Sequence, residues 1–278
     1  MKRTIMTLIL ALMALMVVGE ALPASAAVVK PKAAVYDSIP KNLPGNVPSV
    51  GFQANQTTEF GDAVSFAPGT TDKLKQVTVV MNSFACEHGT WNGGDCVTTP
   101  GATFPVQVTL RLYPYIPGAP ATAGPVFASS TKLFRIAYRP SADPDLCLNQ
   151  AQFASPDGHC YNGKTRRISF YFADGLTLPN QLVYGVSFDT SGYGLHPKGY
   201  DNPCNATNAG CPWDSLNMAA GATAPKLGTD LLPDGTFFDS SWSGAYCDNG
   251  AAGTGSYRLD DGCWAGFNPL VRFKVFLG

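Results

Sequence analysis

The sequence predicts an all-β fold: an antiparallel two-sheet β-sandwich, jelly-roll-like, with long disulfide-pinned loops. Three observations carry this. Residues 104–115, FPVQVTLRLYPY, put Val106, Val108, Leu110 and Leu112 on one face and Gln107, Thr109, Arg111 and Tyr113 on the other. That is the period-2 pattern of a half-buried strand. The other convincing apolar segments also alternate, with no useful helical periodicity after residue 26, so the layer covering one sheet is another sheet. The chain also has 8 cysteines, each in a connection rich in Gly, Asp, Asn and Pro.

The N-terminal stretch has Lys2 and Arg3, an apolar run over 5–18 and the small-x-small triplet Ala24-Ser25-Ala26. This is the pattern of a secretory signal peptide, residues 1–26, cut after Ala26. The run is short for a membrane span, and no transmembrane segment is expected after cleavage. Residues 27–48, with Pro31, Pro40, Pro44 and Pro48, read as an extended lead-in in which 36–39 is a candidate edge strand. Residues 49–278 are expected to form one sandwich domain.

Within it, 59–66 and 74–82 read as strands around the turn Ala67-Pro68-Gly69-Thr70. The strand 104–115 follows a first cysteine loop. A Pro/Gly/Ala turn over 117–125 leads to one or two strands in 126–138, where Phe134, Ile136 and Tyr138 alternate. Residues 139–165 are a polar excursion. Then 167–172 alternates through Ile168 and Phe170, and 182–188 through Leu182, Tyr184, Val186 and Phe188. Stretches 189–231 and 234–266 read as loop, apart from a short strand at 214–219. The segment 270–277 closes the domain with Val271, Phe273 and Val275 on one face.

An even cysteine count behind a signal peptide reads as disulfides formed in an oxidising compartment. Spacing favours the sequence-local set Cys86–Cys96, Cys147–Cys160, Cys204–Cys211 and Cys247–Cys263. Zinc is disfavoured, because no C-x-x-C occurs and His88, His159 and His196 stand singly.

Several segments together carry a resemblance: Leu43-Pro44-Gly45-Asn46-Val47-Pro48-Ser49, Glu59-Phe60-Gly61-Asp62, Asn82-Ser83-Phe84-Ala85-Cys86, Tyr138-Arg139-Pro140-Ser141 and Asp214-Ser215-Leu216-Asn217. They resemble a group of secreted, largely uncharacterised bacterial β-sandwich proteins. The resemblance implies the fold and an extracellular location, and brings no catalytic residues with it.

Charge and motifs narrow the function. The formal net charge is −1, and no basic stripe marks a nucleic-acid partner. There is no G-x-S-x-G elbow for a serine hydrolase. Glycoside hydrolysis needs two carboxylates, yet the glutamates after residue 26 are only Glu59 and Glu87, and most aspartates sit beside Gly, Pro or Asn as turn formers. Sugar binding fits better. Trp91, Trp213, Trp242 and Trp264 all lie in or beside cysteine-bearing loops, where flat rings next to Asp, Asn and Arg can stack on sugars. The sequence thus points to a secreted module that binds a glycan or cell-surface component. A structural extracellular protein and a carbohydrate-active hydrolase are the alternatives.

No cofactor is expected. Asp214 is the one candidate metal ligand. On a strand it shares the inward face with Leu216 and Met218, so its carboxylate needs backbone N–H groups, an Arg such as Arg139, or a bound Ca²⁺. Paired structural use is the commoner fate of a buried carboxylate.

Overall fold

A computed structural model describes residues 32–68, 73–172, 176–199, 204, 210–222 and 224–276. The expected signal peptide, 1–26, lies outside the described residues.

In chain order, β1 (Lys32–Asp37) and β2 (Ser49–Gly51) precede β3 (Thr57–Ser65), β4 (Leu74–Ser83) and the long β5 (Thr103–Ile116). A turn through β6 (Thr122–Ala123) returns as β7 (Ala128–Ala137). The small hairpin of β8 (Phe153–Ala154) and β9 (Cys160–Tyr161) leads to β10 (Lys164–Tyr171) and β11 (Gln181–Phe188). Then come β12 (Leu216–Gly221), β13 (Thr229–Asp230), β14 (Gly235–Ser240), β15 (Arg258–Asp261), β16 (Asn268–Pro269) and β17 (Val271–Phe276).

These strands form two antiparallel sheets. The first runs β1-β17-β4-β10, with β12 continuing along β4 beyond β17, and β2 and β16 against β12. The second runs β3-β11-β5-β7 and is extended past β3 by β14 and β15, with β13 also on β3. The main pairings nest: β5 with β7, β4 with β10, β3 with β11, and β1 with β17. One long antiparallel hairpin, its tip at 117–127, is rolled so that its rungs fall in alternate sheets, which is a jelly roll. Strands β12 to β16 are an insertion between the last two rungs.

Strand direction decides where the loops go. Connections 84–102, 138–163 and 241–257, and the described residues 189–199 and 210–215, all emerge at one end of the sandwich. The disulfides Cys86–Cys96, Cys147–Cys160 and Cys204–Cys211 staple loops at that end, and Cys247–Cys263 ties the fourth loop to the residues past β15. This is the sequence-local set. Each bridge closes a short loop, worth about 2–3 kcal/mol of unfolded-chain entropy.

The main core lies between the sheets. Phe60, Val77, Val79, Leu110, Phe170, Val186 and Phe273 are fully buried there, and Phe273 meets Phe66 and Tyr184 with centroids at 5.3 and 5.6 Å. Two smaller clusters cover the outer faces. Ile39, Val80, Ala219 and Leu270 lie outside the first sheet, and Ala63, Tyr113, Val183 and Phe237 outside the second. The central strands are therefore buried on both sides.

That double burial accounts for three departures from the sequence reading. Strand β14 falls in a stretch read as loop, because Gly235-Thr236-Phe237-Phe238-Asp239-Ser240 is buried on both faces and shows no alternation. Part of the lead-in belongs to the domain: β1 is an edge strand on β17, and Val35, Tyr36 and Ile39 are fully buried. Asp214 lies in a 3-10 helix, Pro212–Ser215, and the strand starts only at Leu216. Leu216 and Met218 do face the core.

Candidate functional site

The four tryptophans divide into two packing residues and two open ones. Trp264 sits 5.3 Å from Phe60 and 5.9 Å from Phe238, and its Nε1 donates to Asp260 Oδ2 at 2.8 Å. Trp213 packs on the main core with Lys198 Nζ 3.6 Å from its ring centre. Trp91 and Trp242 are 40% and 45% exposed on separate loops of the pinned end. None of the four lines the three openings described below.

The outer face of the second sheet carries more chemistry. Its centre is a buried ion pair: Arg111 Nη1 donates to Glu59 Oε2 at 3.1 Å and to Ser187 Oγ at 2.9 Å, while Tyr113 Oη donates to Glu59 Oε1 at 2.8 Å. Room for this comes from glycine. Gly61 and Gly185 are cross-strand partners, and a Cβ at Gly185 would run into the Glu59 carboxylate. Burial pushes the Glu59 pKa up, with Arg111 and the Tyr113 hydroxyl pulling the other way. Asp239 stands opposite Glu59 in the β3/β14 register, and burial raises it as well.

Toward the 117–127 tip this face opens into a cleft of about 860 Å³. Tyr115, Tyr257, Leu232 and Leu259 line it, with Asp248, Arg258 and Asp261 among the polar groups. Tyr257 is fixed between Tyr113 and Phe237, at 5.2 and 5.7 Å, and its hydroxyl donates to Tyr184 O at 2.6 Å. Arg258 is held by Asp248 through Nη2 at 2.9 and 3.0 Å. The sequence reading weighted tryptophan and passed over these tyrosines. The available signal was the polar face of the long strand, where Arg111, Tyr113 and Tyr115 follow one another at every second residue.

At the pinned end the same face holds a smaller pocket of about 180 Å³, lined by Gln107, Arg111, Ser187, Asp189 and His196. The histidines stand apart: His88 bridges Val97 in the first cysteine loop, and His159 Nδ1 lies 3.0 Å from Asp157 O.

Asp214 finds its partners in backbone N–H groups and a hydroxyl. Its carboxylate accepts from Ser191 N at 2.7 Å, Ser191 Oγ at 2.6 Å and Cys211 N at 3.3 Å. Arg139 instead donates to Trp91 O and Pro140 O. Asp214→Asn should lower Tm by several degrees, since charge-assisted bonds are worth about 1.5–3 kcal/mol and each kcal/mol is about 2–4 °C in a domain this size. EDTA should leave the wild-type melt unmoved. An EDTA-induced drop in wild type that vanishes in the variant would make Asp214 a metal ligand.

Among the described residues, the one group of Cys, Asp, Glu or His atoms close enough to share an ion is Cys247, Asp260 and Cys263. The two sulfurs are joined to each other, and Asp260 accepts from Cys247 N at 2.9 Å as well as from Trp264. Neither a protein-family model, nor a curated protein, nor a solved structure matches this chain. No helix among the described residues is long and apolar enough to cross a membrane.

Proposed function

We propose that this chain is a secreted binding module whose ligand is a glycan, held in the cleft on the outer face of the second sheet. One observation carries the reading. The cleft has the size of a small-molecule site, roughly 300–1,000 Å³, and combines phenol rings at Tyr115 and Tyr257 with an immobilised Asp248–Arg258 pair and the exposed Asp261. Flat rings stack on the apolar faces of sugars, and fixed polar groups order the hydroxyls. Four disulfides fit an oxidising extracellular setting.

The hydrolase alternative has a carboxylate pair in Glu59 and Asp239. However, the Glu59 side chain is only 6% exposed and is engaged by both Arg111 and Tyr113. A general acid must reach the bond it protonates, so this pair serves the fold.

A glycan array with wild type, Tyr115→Ala, Asp261→Asn and Trp91→Ala/Trp242→Ala tests the proposal. The expected result is binding by wild type, a loss of about tenfold or more in Tyr115→Ala and a smaller loss in Asp261→Asn, because burial of one ring face is worth more than an exposed hydrogen bond. The double tryptophan variant should bind like wild type. Loss confined to the tryptophan variant would move the site to the pinned loops. No binding by wild type would favour a structural protein.

A further inference from the structure

The two sheets are not hydrogen-bonded to each other along the β7/β10 edge. At the pinned end they part around a slot of about 540 Å³, lined by Thr98, Tyr138, Asp143, Phe153, Lys164 and Arg166 among others. Lys164 and Arg166 lie two apart on β10 and so share a face. Both lie on the same face of β10 as the core residues Ile168 and Phe170, with Arg166 paired across the sheet to Met81.

Behind the slot wall is Arg139, which is fully buried. Its Nη1 and Nε donate to two neutral carbonyls, Trp91 O at 3.0 Å and Pro140 O at 3.1 Å, and its Nη2 has no partner. Phe153, a slot residue, has the Arg139 guanidinium carbon 5.3 Å and Lys164 Nζ 5.9 Å from its ring centre. Burial alone brings the Arg139 pKa down to about 10.

Full burial separates Arg139 from the other cations that lack a carboxylate partner, such as Lys73, Lys132, Arg135 and Lys274, all of which are at least partly exposed. Arg111, Arg258, Arg272 and Lys226 each have a carboxylate partner. Arg139, Lys164 and Arg166 have none among the described residues, although they gather about one opening. The single acid of the slot, Asp143, already accepts Leu146 N at 3.1 Å. A buried cation without a counter-charge is costly, and a chain with a formal charge of −1 has no general surplus of positive charge to explain the grouping.

We propose that the slot between β7 and β10 is an anion site that takes the carboxylate or sulfate groups of an acidic glycan. The inference rests on the glycan reading above for the polymer that carries the charge, and on the three unpaired cations for the charge itself. Lys164 and Arg166 contact the anion. Arg139 acts through Phe153 as a fixed positive charge in a low-dielectric wall, where its field is little screened.

Affinity electrophoresis through gels containing polygalacturonate, dextran sulfate or neutral dextran tests this. The proteins are wild type, Lys164→Gln/Arg166→Gln and Lys73→Gln, with melting curves to establish that each is folded. Wild type should be retarded by at least one acidic polymer far more than by dextran, and the retardation should weaken as salt is added. The double variant should lose about tenfold in apparent affinity, while Lys73→Gln, which removes an exposed charge just before β4 and away from both openings, keeps it. Polygalacturonate and dextran sulfate separate carboxylate from sulfate recognition. Retardation by the acidic polymers no greater than by dextran, or a double variant that behaves like wild type, overturns the slot. In that case binding of neutral glycans on the array would leave the cleft reading standing. Retention on acidic polymers with a blank array for neutral glycans would support the slot and remove the cleft.

Discussion

Asp62→Asn is expected to raise the melting temperature at pH 8 by several degrees and to flatten its dependence on pH. Asp62 faces the main core from β3, between Phe60 and Val64, and is fully buried. The register sets it opposite Tyr184 on β11, while Asp230 on β13 is the partner of Val64, two residues along the same face. Oδ1 accepts the Ala63 N–H at 2.7 Å, and Oδ2 has no partner. Burial pushes the Asp62 pKa well above the carboxylate range, and the nearby Asp230 pushes it further.

The sign of the effect follows from where the proton goes. An unfolded Asp titrates at about 3.9, while the native one holds its proton to higher pH. The native state therefore binds more protons than the unfolded state between the two values, and stability falls as pH rises through that window. Asn does not titrate, so the advantage of the variant is near zero at about pH 4 and complete above the native pKa of Asp62. Glu59, Asp239 and Asp260, all raised first by burial, impose the same slope on both proteins, so the difference between the two melting curves isolates Asp62 together with its coupled neighbour Asp230. With each kcal/mol worth about 2–4 °C in a domain of this size, the divergence is measurable by calorimetry from pH 4 to pH 8. Parallel curves would show that Asp62 is ionised in the folded protein over this range, as it is in the unfolded chain.

Alternation in sequence was enough to place β5, β10 and β17, because each buries residues i, i+2 and i+4 and leaves more polar residues between them, and β11 was legible through Leu182, Tyr184, Val186 and Phe188 although Val183, Gly185 and Ser187 are buried as well. It failed where the outer clusters add a second buried face. Phe237 and Phe238 both lie inside, one against Tyr257 and the other against Trp264, and such a strand reads as a short apolar run among turn formers. The disulfide set was legible because cysteines closing one loop are also neighbours in sequence. The cleft and the slot were not. Each is built from residues brought together only by the rolled hairpin: Tyr115 with Arg258 and Asp248, or Lys164 with Tyr138 and Arg139. The roll puts 138–163 and 84–102 at the same end, and no spacing in the chain records that.

Arg111→Met should cost about 3–5 kcal/mol at pH 8, the usual result of removing one member of a buried ion pair. Only 18% of the Arg111 side chain and 6% of the Glu59 side chain are exposed. Without the guanidinium, Glu59 keeps the Tyr113 hydrogen bond but loses its cation, and Ser187 Oγ loses its donor. The Glu59 pKa, already raised by burial, must rise further when Arg111 no longer lowers it. The neutral acid is then reached at milder acidity, so the penalty should shrink as pH falls from 8 to 5. Arg111→Met/Glu59→Gln should recover most of the loss at pH 8, because the glutamine oxygen still accepts from Tyr113 and no unpaired charge is buried. Urea midpoints for the three proteins at both pH values measure this directly. An Arg111→Met loss equal at pH 5 and pH 8, with no recovery in the double variant, would mean that Arg111 stabilises the sheet by packing its stem and not by compensating Glu59.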